Sequence, residues 1–225
     1  MDDPVDDLVF SKRLKKPKGS LTLFDKTAQF IVLSPPSPNS SFSSGKELLG
    51  VQGASFLRTD PIIKSIKKHD KDPAYAIKVY LDLFGLKYDS KYIKKVLEES
   101  SIIIAEQKNK FNRPRPEQLC PYFGIELDVL DSKTSNTPSY PSGHTTQARL
   151  IAEIYAEKYP SHRENLMRGA EEAGFGRVIA GFHFLSDHTV GVSLAKRLFK
   201  RLKDRKRNTS SKFTKIFDLK QKNRR

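Results

Sequence analysis

Apolar residues recur at helical spacing in five separate segments of this chain, and that pattern constrains its fold more than any other feature. The segment after Asp60-Pro61 and the segment from Ala74 to Phe84 each place their apolar residues on one helical face. Similar patterns cover Ser90 to Gln107, Ser142 to Tyr155, and Val190 to Leu202. No stretch of useful length alternates as a strand does. The sequence therefore predicts one all-α domain, a helical bundle.

The segments between these patterns suggest how the chain is divided. Residues 34–45 are rich in Pro and Ser and predict an ordered loop that wraps the surface. Pro160 ends the fourth helical pattern, and Ser161 with Glu164 three residues later predicts a capping box for the next helix. We therefore predict an N-terminal extension and wrapping loop over residues 1–46, a helical domain over 47–203, and a basic tail over 204–225.

Positive charge is concentrated at one end of the chain. Residues 196–225 hold 14 Lys and Arg against 2 Asp, which is a net +12 of the formal +15. A nucleic-acid-binding fold would carry such charge on a patch of the folded domain, whereas here it lies on an appendage. Residues 196–225 could contact an anionic surface, either nucleic acid or membrane, although a solvated end is the commoner outcome for a charge run.

Other features bear on the cellular environment of the protein. Its longest apolar runs, Phe30 to Leu33 and Ile102 to Ala105, are far shorter than the roughly 20 residues that span a bilayer. The acidic N-terminus lacks the basic start and apolar centre of a secretory signal. A single cysteine, Cys120, cannot form an internal disulfide and fits a reducing compartment. We expect a soluble, cytoplasmic protein.

Charged residues lie among apolar ones between Gly176 and Asp187. An unpaired charge is costly in such surroundings, so these residues need partners or a ligand. His183 and Asp187 are four residues apart, so the carboxylate can accept a hydrogen bond from one imidazole nitrogen and leave the other free to attack. On an unbroken helix Arg177 and His183 would point about 120° apart, and Gly181 is placed to allow a bend. Taken alone, the segment also fits a purely structural His–Asp pair.

Two further segments carry residue types that bind anions. Ser142-Gly143-His144 precedes a helical pattern and offers a hydroxyl, free backbone N–H groups and the positive end of a helix dipole. Lys108 and Arg115 can neutralise phosphate oxygens, and Arg115 can form a bidentate fork. Alone, His144 also fits a capping or core histidine, and the Lys108 segment a solvated basic stretch. Outside these residues the sequence has no His/Asp/Glu cluster at metal-ligand spacing.

Together the three segments spell Lys-x6-Arg-Pro, then Pro-Ser-Gly-His, then Arg-x5-His-x3-Asp. This order resembles the type 2 phosphatidic acid phosphatase (PAP2) superfamily, and within it the soluble class A bacterial acid phosphatases. The resemblance covers about residues 100 to 200 and implies a helical bundle of that type without transmembrane helices. One position departs from the family pattern, because Gly176 stands where the family usually has Ser. Arg113-Pro114 is a second Arg-Pro pair, but only Arg115-Pro116 lies at the family's distance from Lys108.

The resemblance implies an enzyme that hydrolyses phosphate monoesters through a phosphohistidine, without a metal or another cofactor. His183 would attack phosphorus, Asp187 would orient it, and His144 would protonate the leaving oxygen and later activate water. The phosphoryl oxygens would be held by Lys108, Arg115, Ser142, the backbone N–H of Gly143, and Arg177. Because His144 must be protonated while His183 is neutral, we expect a bell-shaped pH profile on the acidic to neutral side. The expected partner is a small phosphorylated substrate, and a homo-oligomer is compatible with the sequence.

Two other functions remain open. A vanadium-dependent haloperoxidase has the same fold and holds vanadate in the phosphate site, although the known ones are much longer chains. A binding module could keep the phosphate pocket and act through its basic tail. Leaving-group specificity is expected to lie in residues 34–45 and 117–139, which we predict to form the rim of the site. His69, His162 and His188 are expected to be surface or hydrogen-bonded core histidines.

Overall fold

A computed structural model describes residues 4–15 and 17–222, and for residues 29, 206 and 208–222 it describes the backbone alone. The described chain is helical and contains no strand, which confirms the predicted all-α fold. Its α-helices are α1 Phe42–Ser55, α2 Asp60–Lys71, α3 Tyr75–Leu83, α4 Ser90–Phe111, α5 Pro116–Leu119, α6 Gly143–Lys158, α7 Arg163–Ile179 and α8 Leu185–Lys222. Short 3-10 helices lie at Lys26–Phe30, Cys120–Phe123 and Pro160–His162. Among these residues no helix has an apolar stretch long enough to cross a bilayer.

Helix α6 is the central helix of the bundle. It packs against both α7 and α8, and its buried residues belong to two different cores. Leu150 joins a core shared with α4 and α8, whereas Ile151 joins a core shared with α3 and α7. A helix that is apolar on opposite faces has to be enclosed by other helices. The N-terminus of α6, at Gly143, is therefore held rigidly by its neighbours.

Helix α4 brings Lys108 to the same region. Asp89 caps its first turn by accepting a hydrogen bond from the backbone N–H of Tyr92 at 2.9 Å. The helix ends where Asn112 adopts a left-handed conformation with φ 44°. Lys108 thus lies on the last turn, and the chain leaves the helix just before Arg113.

The chain bends between α7 and α8, as the sequence predicts. Gly181 has φ +84°, which lies in the left-handed region that favours glycine. An added Cβ at this position would also lie 3.1 Å from a side-chain carbon of Val129. The bend leaves Arg177 on the last turn of α7, His183 in the connection, and Asp187 on the first turn of α8.

The loop predicted for residues 34–45 is too long, because α1 begins at Phe42. The Ser41 side chain caps this helix by accepting a hydrogen bond from the backbone N–H of Ser44. Only a narrow face of α1 is apolar and buried, through Leu48 and Val51. A glycine- and serine-rich helix with so narrow a buried face carries little periodic signal, which is why sequence analysis missed it.

The predicted capping box of α7 is wrong. Ser161 lies inside a 3-10 helix, and His162 takes the N-cap position of α7 without a side-chain hydrogen bond. Pro160 opens this short turn, because its fixed backbone angle suits the first position of a helix. The turn therefore displaces the start of α7 by one residue relative to a cap at Ser161.

The proposed division of the chain stays a prediction. Helix α1 crosses the boundary drawn at residue 46, and the backbone of α8 continues across the boundary at residue 203 as far as Lys222. The side chains of residues 208–225 lie outside the described part of the chain. Contact of residues 196–225 with an anionic surface therefore also stays a prediction.

Candidate active site

His183 and Asp187 form a buried pair. Nδ1 of His183 lies 3.1 Å from Oδ2 of Asp187, and the two side chains are 2% and 0% exposed. The same carboxylate oxygen accepts the backbone N–H of Phe184 at 3.0 Å. A carboxylate only accepts hydrogen bonds, so Nδ1 carries the imidazole proton. Nε2 is consequently left with its lone pair.

That lone pair faces a cation. Nη1 of Arg115 lies 3.4 Å from Nε2 of His183. The backbone carbonyls of Thr137 and Phe182 accept hydrogen bonds from the same guanidinium at 2.8 and 2.7 Å, which holds it in place. Burial and then the charge of Arg177 lower the pKa of Arg115 to about 9, so it remains a cation at neutral pH. The free nitrogen of His183 therefore opens onto a positively charged region.

Lys108 adds a second positive group. Its side chain is buried, and Nζ donates hydrogen bonds to the backbone carbonyls of Pro138 and Ser139. Burial, together with the charges of Arg115 and Arg177, holds the pKa of Lys108 well below its usual range. A bound anion would favour its charged form, so the group is suited to binding anions.

Arg177 is the third cation, and a carboxylate already contacts it. Its Nη1 donates to Asp70 at the end of α2, and its Nη2 donates to Oγ1 of Thr134 at 3.1 Å. The guanidinium lies over the ring of Phe182 at 4.3 Å. Its Nε is buried and has no acceptor among the described residues. Arg177 thus has an unused donor beside an anionic partner.

The N-terminus of α6 lies beside Lys108. A Cβ added to Gly143 would be 4.0 Å from Cε of that lysine. Oγ of Ser142 accepts hydrogen bonds from the backbone N–H and the hydroxyl of Thr145 at 3.4 and 2.9 Å. The Ser142 backbone N–H donates to the carbonyl of Asp187 at 3.0 Å, which ties this cap to the His183 pair. The backbone N–H groups of Gly143 and His144, which precede Thr145, have no partner within the helix and can bind an anion.

His144 is held differently from His183. Its Nε2 lies 3.2 Å from the backbone carbonyl of Asp70, which can only accept. Nε2 therefore carries a proton, and Nδ1 is the site for a second one. Burial, followed by the charges of Arg177 and Lys108, lowers the pKa of His144 to about 3. Without a bound anion this imidazole is neutral.

The structure places all the predicted site residues in one region and adds partners that sequence reasoning missed. Arg113 donates to Oδ1 of Asp187 at 2.7 Å and to Oε2 of Glu47 at 2.8 Å. Asp70 accepts from the hydroxyls of Ser132 and Thr134. The duplicated Arg-Pro was a usable signal for Arg113. Glu47 and Asp70 carry no local signal, because their partners lie far away in sequence.

The histidines left unassigned by the sequence lie outside this centre. His188 is buried between Oγ1 of Thr145 at 3.2 Å and Oε1 of Glu171 at 2.9 Å. His162 contacts the hydroxyl of Tyr80. His69 is buried, and Glu172 lies 3.9 Å from its Nε2. His188 and His162 therefore have the hydrogen-bonded structural surroundings expected of them, whereas the ring nitrogens of His69 lack hydrogen-bond partners among the described residues.

Comparison with known proteins extends these observations. The model of the PAP2 superfamily matches residues 94–201. An acid phosphatase of Zymomonas mobilis is 27% identical over 198 residues, which are 82% of this chain and 73% of the relative. A non-specific acid phosphatase of Salmonella typhimurium is 40% identical over 98 residues, 44% of this chain and 39% of the relative.

A solved structure shares the fold. It is a transmembrane PAP2 type phosphatidylglycerolphosphate phosphatase from Bacillus subtilis, matched with a TM-score of 0.54 and 18% identity over 75% of this chain and 89% of that chain. The helical arrangement, the sequence match and the three motifs agree with one another. The chain therefore carries a PAP2 superfamily domain and is homologous to bacterial acid phosphatases.

Proposed function

We propose that this protein is an acid phosphatase-like enzyme that hydrolyses phosphate monoesters through a phosphohistidine on His183. One observation carries the proposal. The imidazole is fixed by Asp187 with Nε2 unprotonated, and that nitrogen faces Arg115 in a buried, cationic pocket. A nucleophile with an orienting carboxylate, set among cations, is suited to phosphoryl transfer through a covalent intermediate.

Substrate binding is proposed to use the surrounding donors. Arg115 and Lys108 approach the phosphoryl group from the side of His183, and Arg177 supplies its unused Nε–H. The backbone N–H of Gly143 and the hydroxyl of Ser142 bind at the end of α6. In a buried site such preorganised donors stabilise the charge that spreads over the equatorial oxygens in the transition state. These groups make the phosphate site cationic, so the proposed reaction proceeds without a metal ion.

The proposed hydrolysis has two steps. Nε2 of His183 forms a bond to phosphorus as the bond to the leaving oxygen breaks, and His144 gives that oxygen a proton. Water next attacks phosphorus, loses its proton to His144, and the P–N bond breaks with its electron pair returning to Nε2. The proton that His144 takes from water then passes to the departing phosphate, so the products are an alcohol and inorganic phosphate, and both histidines regain their starting states.

The pKa values of the two histidines fit these proposed roles. Burial and the nearby cations hold the pKa of His183 well below its usual range, so it stays neutral in acid. The free enzyme also holds His144 neutral, so the proton for the leaving group has to enter with the substrate. A phosphate monoester has a second pKa of about 6, and the monoanion can bring this proton. We therefore expect kcat/KM to fall as the pH rises above about 6, and a rate that still climbs in strong alkali contradicts the assignment.

A panel of phosphate monoesters tests the proposal. Wild type should turn over p-nitrophenyl phosphate and alkyl phosphates, before and after dialysis against a chelator, and His183→Ala should lose activity by about 10⁴-fold or more. Equal rates for the two proteins would overturn the proposal. Vanadate should inhibit as a phosphate analogue, and halide oxidation by the vanadate-loaded protein without ester hydrolysis would establish a haloperoxidase instead.

A further inference from the structure

We propose that Arg113 and Glu47 are positioning residues that act through Asp187, holding its carboxylate in the orientation that fixes His183. The inference deepens the proposed function and rests on it. Arg113 occupies an unspecified position inside the Lys-x6-Arg-Pro motif, and Glu47 lies on α1, outside the region matched by the family model.

The contacts form a closed ring behind the catalytic pair. Nη1 of Arg113 donates to Oδ1 of Asp187 at 2.7 Å and to the hydroxyl of Ser186 at 2.8 Å. Its Nη2 donates to Oε2 of Glu47 at 2.8 Å, and the other oxygen of Glu47 accepts the backbone N–H of Ser186 at 2.8 Å. Oδ1 of Asp187 is thus taken by Arg113, which leaves Oδ2 for His183. The carboxylate cannot rotate without breaking a charged hydrogen bond.

Burial makes this ring stiff. The side chains of Arg113 and Asp187 are 1% and 0% exposed, and that of Glu47 is 18% exposed. The guanidinium of Arg113 also lies 3.9 Å from the centre of the Phe184 ring. Although burial acts against its charge, the two carboxylates raise the pKa of Arg113. Charges so far from water are screened little, and removing one partner leaves the others uncompensated.

The ring also sets the charge that His183 meets. Asp187 favours the imidazolium, whereas Arg115, Lys108, Arg177 and His144 all oppose it. Arg113 offsets the charge of Asp187, and Glu47 offsets part of the charge of Arg113. Loss of the arginine should therefore raise the pKa of His183, and loss of the Glu47 charge should lower it. The opposite signs distinguish this role from general damage to the fold.

Three variants test the positioning role by kcat, by the acidic limb of the pH profile of kcat/KM, and by competitive inhibition by inorganic phosphate. Arg113→Met should lower kcat by about 100-fold and move the acidic limb to higher pH. Glu47→Gln should lower kcat by about tenfold and move that limb to lower pH. Arg113→Lys keeps the charge but cannot reach both carboxylates, so its acidic limb should stay near that of wild type while kcat falls.

Inhibition by phosphate should change less than about twofold in all three variants, because both Nη groups of Arg113 face carboxylates or Ser186 rather than the pocket. Nε of Arg113 has no acceptor among the described residues, so the phosphate measurement is needed to test whether this nitrogen binds the substrate. Glu153→Gln is the matched control. Glu153 is a buried carboxylate paired with Arg149 and Arg163, about 13 Å further along α6 than His144, and its loss should leave kcat and the pH profile unchanged.

Circular dichroism and melting curves establish that each variant is folded. Glu47→Gln is the milder change and decides the question if Arg113→Met does not fold. Phosphate inhibition that weakens in proportion to kcat would overturn the proposal, because Arg113 would then bind the substrate. A folded Glu47→Gln with wild-type kcat and pH profile would overturn it too. His183→Ala, measured alongside, distinguishes the two hypotheses. If His183→Ala stays active, the proposed function fails. If it is inactive while the Arg113 and Glu47 variants keep the wild-type kcat and pH profile, only the positioning role is refuted.

Discussion

The two histidines that we propose as catalytic lie in opposite kinds of environment. His183 is 2% exposed and is fixed by a carboxylate that is itself held by a buried arginine. His144 is partly exposed, and among the described residues its side chain has one hydrogen-bond partner, the backbone carbonyl of Asp70. The proposed nucleophile is surrounded by buried charges, whereas the proposed proton donor lies where the start of α6 meets the end of α2.

This difference suits the two roles. A histidine nucleophile must keep one tautomer and one orientation. A buried hydrogen-bond network that destabilises the other tautomer and other ring orientations meets this need. A proton donor must gain and lose a proton in each cycle, so it cannot be locked to a permanent anion. Neighbouring cations disfavour the imidazolium form of both histidines, and within the described part of the chain only His183 has a carboxylate at hydrogen-bonding distance. The arriving phosphate can change the charge state of His144 without disturbing the nucleophile.

The largest effect is expected for Asp187→Asn. The amide has one oxygen, and the charged guanidinium of Arg113 should donate its hydrogen bond to that oxygen. The NH₂ group would then face Nδ1 of His183. Nε2 would then carry the proton and lose its nucleophilic lone pair. The same change in the carboxylate of a serine protease triad costs about 10⁴-fold in kcat, and we expect a similar loss here. Steady-state kinetics with p-nitrophenyl phosphate will measure it, and near-normal kcat would contradict the locked tautomer.

His144→Asn should have a smaller effect that depends on the leaving group. Alkyl phosphates need a proton on the departing oxygen, so kcat/KM should fall by about 10²- to 10³-fold. p-Nitrophenolate leaves without a proton, so that substrate should be affected far less. The measurement is the dependence of log kcat/KM on the pKa of the leaving group. An equal loss for every ester would assign His144 to phosphate binding rather than to proton transfer.

Asp70→Asn should act on affinity more than on rate. The Asp70 carboxylate pairs with Arg177, one of the cations proposed to bind phosphate. Without its charge, Arg177 should bind inorganic phosphate about tenfold more tightly, because a competing anion is gone. The backbone carbonyl that holds His144 is retained in this variant. Inhibition constants for phosphate will report the change, and weaker binding would mean that Asp70 mainly positions Arg177.

The smallest effect is expected for Gly176→Ser, which restores the residue usual in the family. A Cβ at this position would lie 3.3 Å from Cγ1 of Ile66 on α2, so that side chain must shift slightly. We expect kcat to change by about twofold or less and the melting temperature to drop by a few degrees, for a cost of about 1 kcal/mol. Gly53→Ser is the control, because nothing lies within 4 Å of a Cβ added there. A large gain in kcat would show that the missing hydroxyl limits the enzyme.

The sequence predicted the parts of this molecule that depend on short-range patterns. Helices α2, α3, α4, α6 and α8 follow from their apolar spacing, and the bend at Gly181 follows from the need to bring Arg177 toward His183. The weakly apolar α1 left no such pattern.

The partners of the motif residues could not be predicted from the sequence, for a different reason. Glu47, Asp70 and Arg113 matter because the fold brings them together with Asp187 and Arg177, and the paired residues are 66 to 107 positions apart in the sequence. Burial and ion pairing at that range depend on tertiary packing. A single sequence does not encode them in any local pattern.

The nucleophilic role of His183 can be observed in a single turnover. The enzyme is mixed with a reactive phosphate monoester and quenched in base within the first turnover, and the phosphoryl group is located by peptide mass spectrometry. We predict phosphate on the imidazole of His183, at a level that rises before steady state, and none in His183→Ala. Phosphate on another side chain, or first-turnover hydrolysis in His183→Ala at the wild-type rate, would contradict the account.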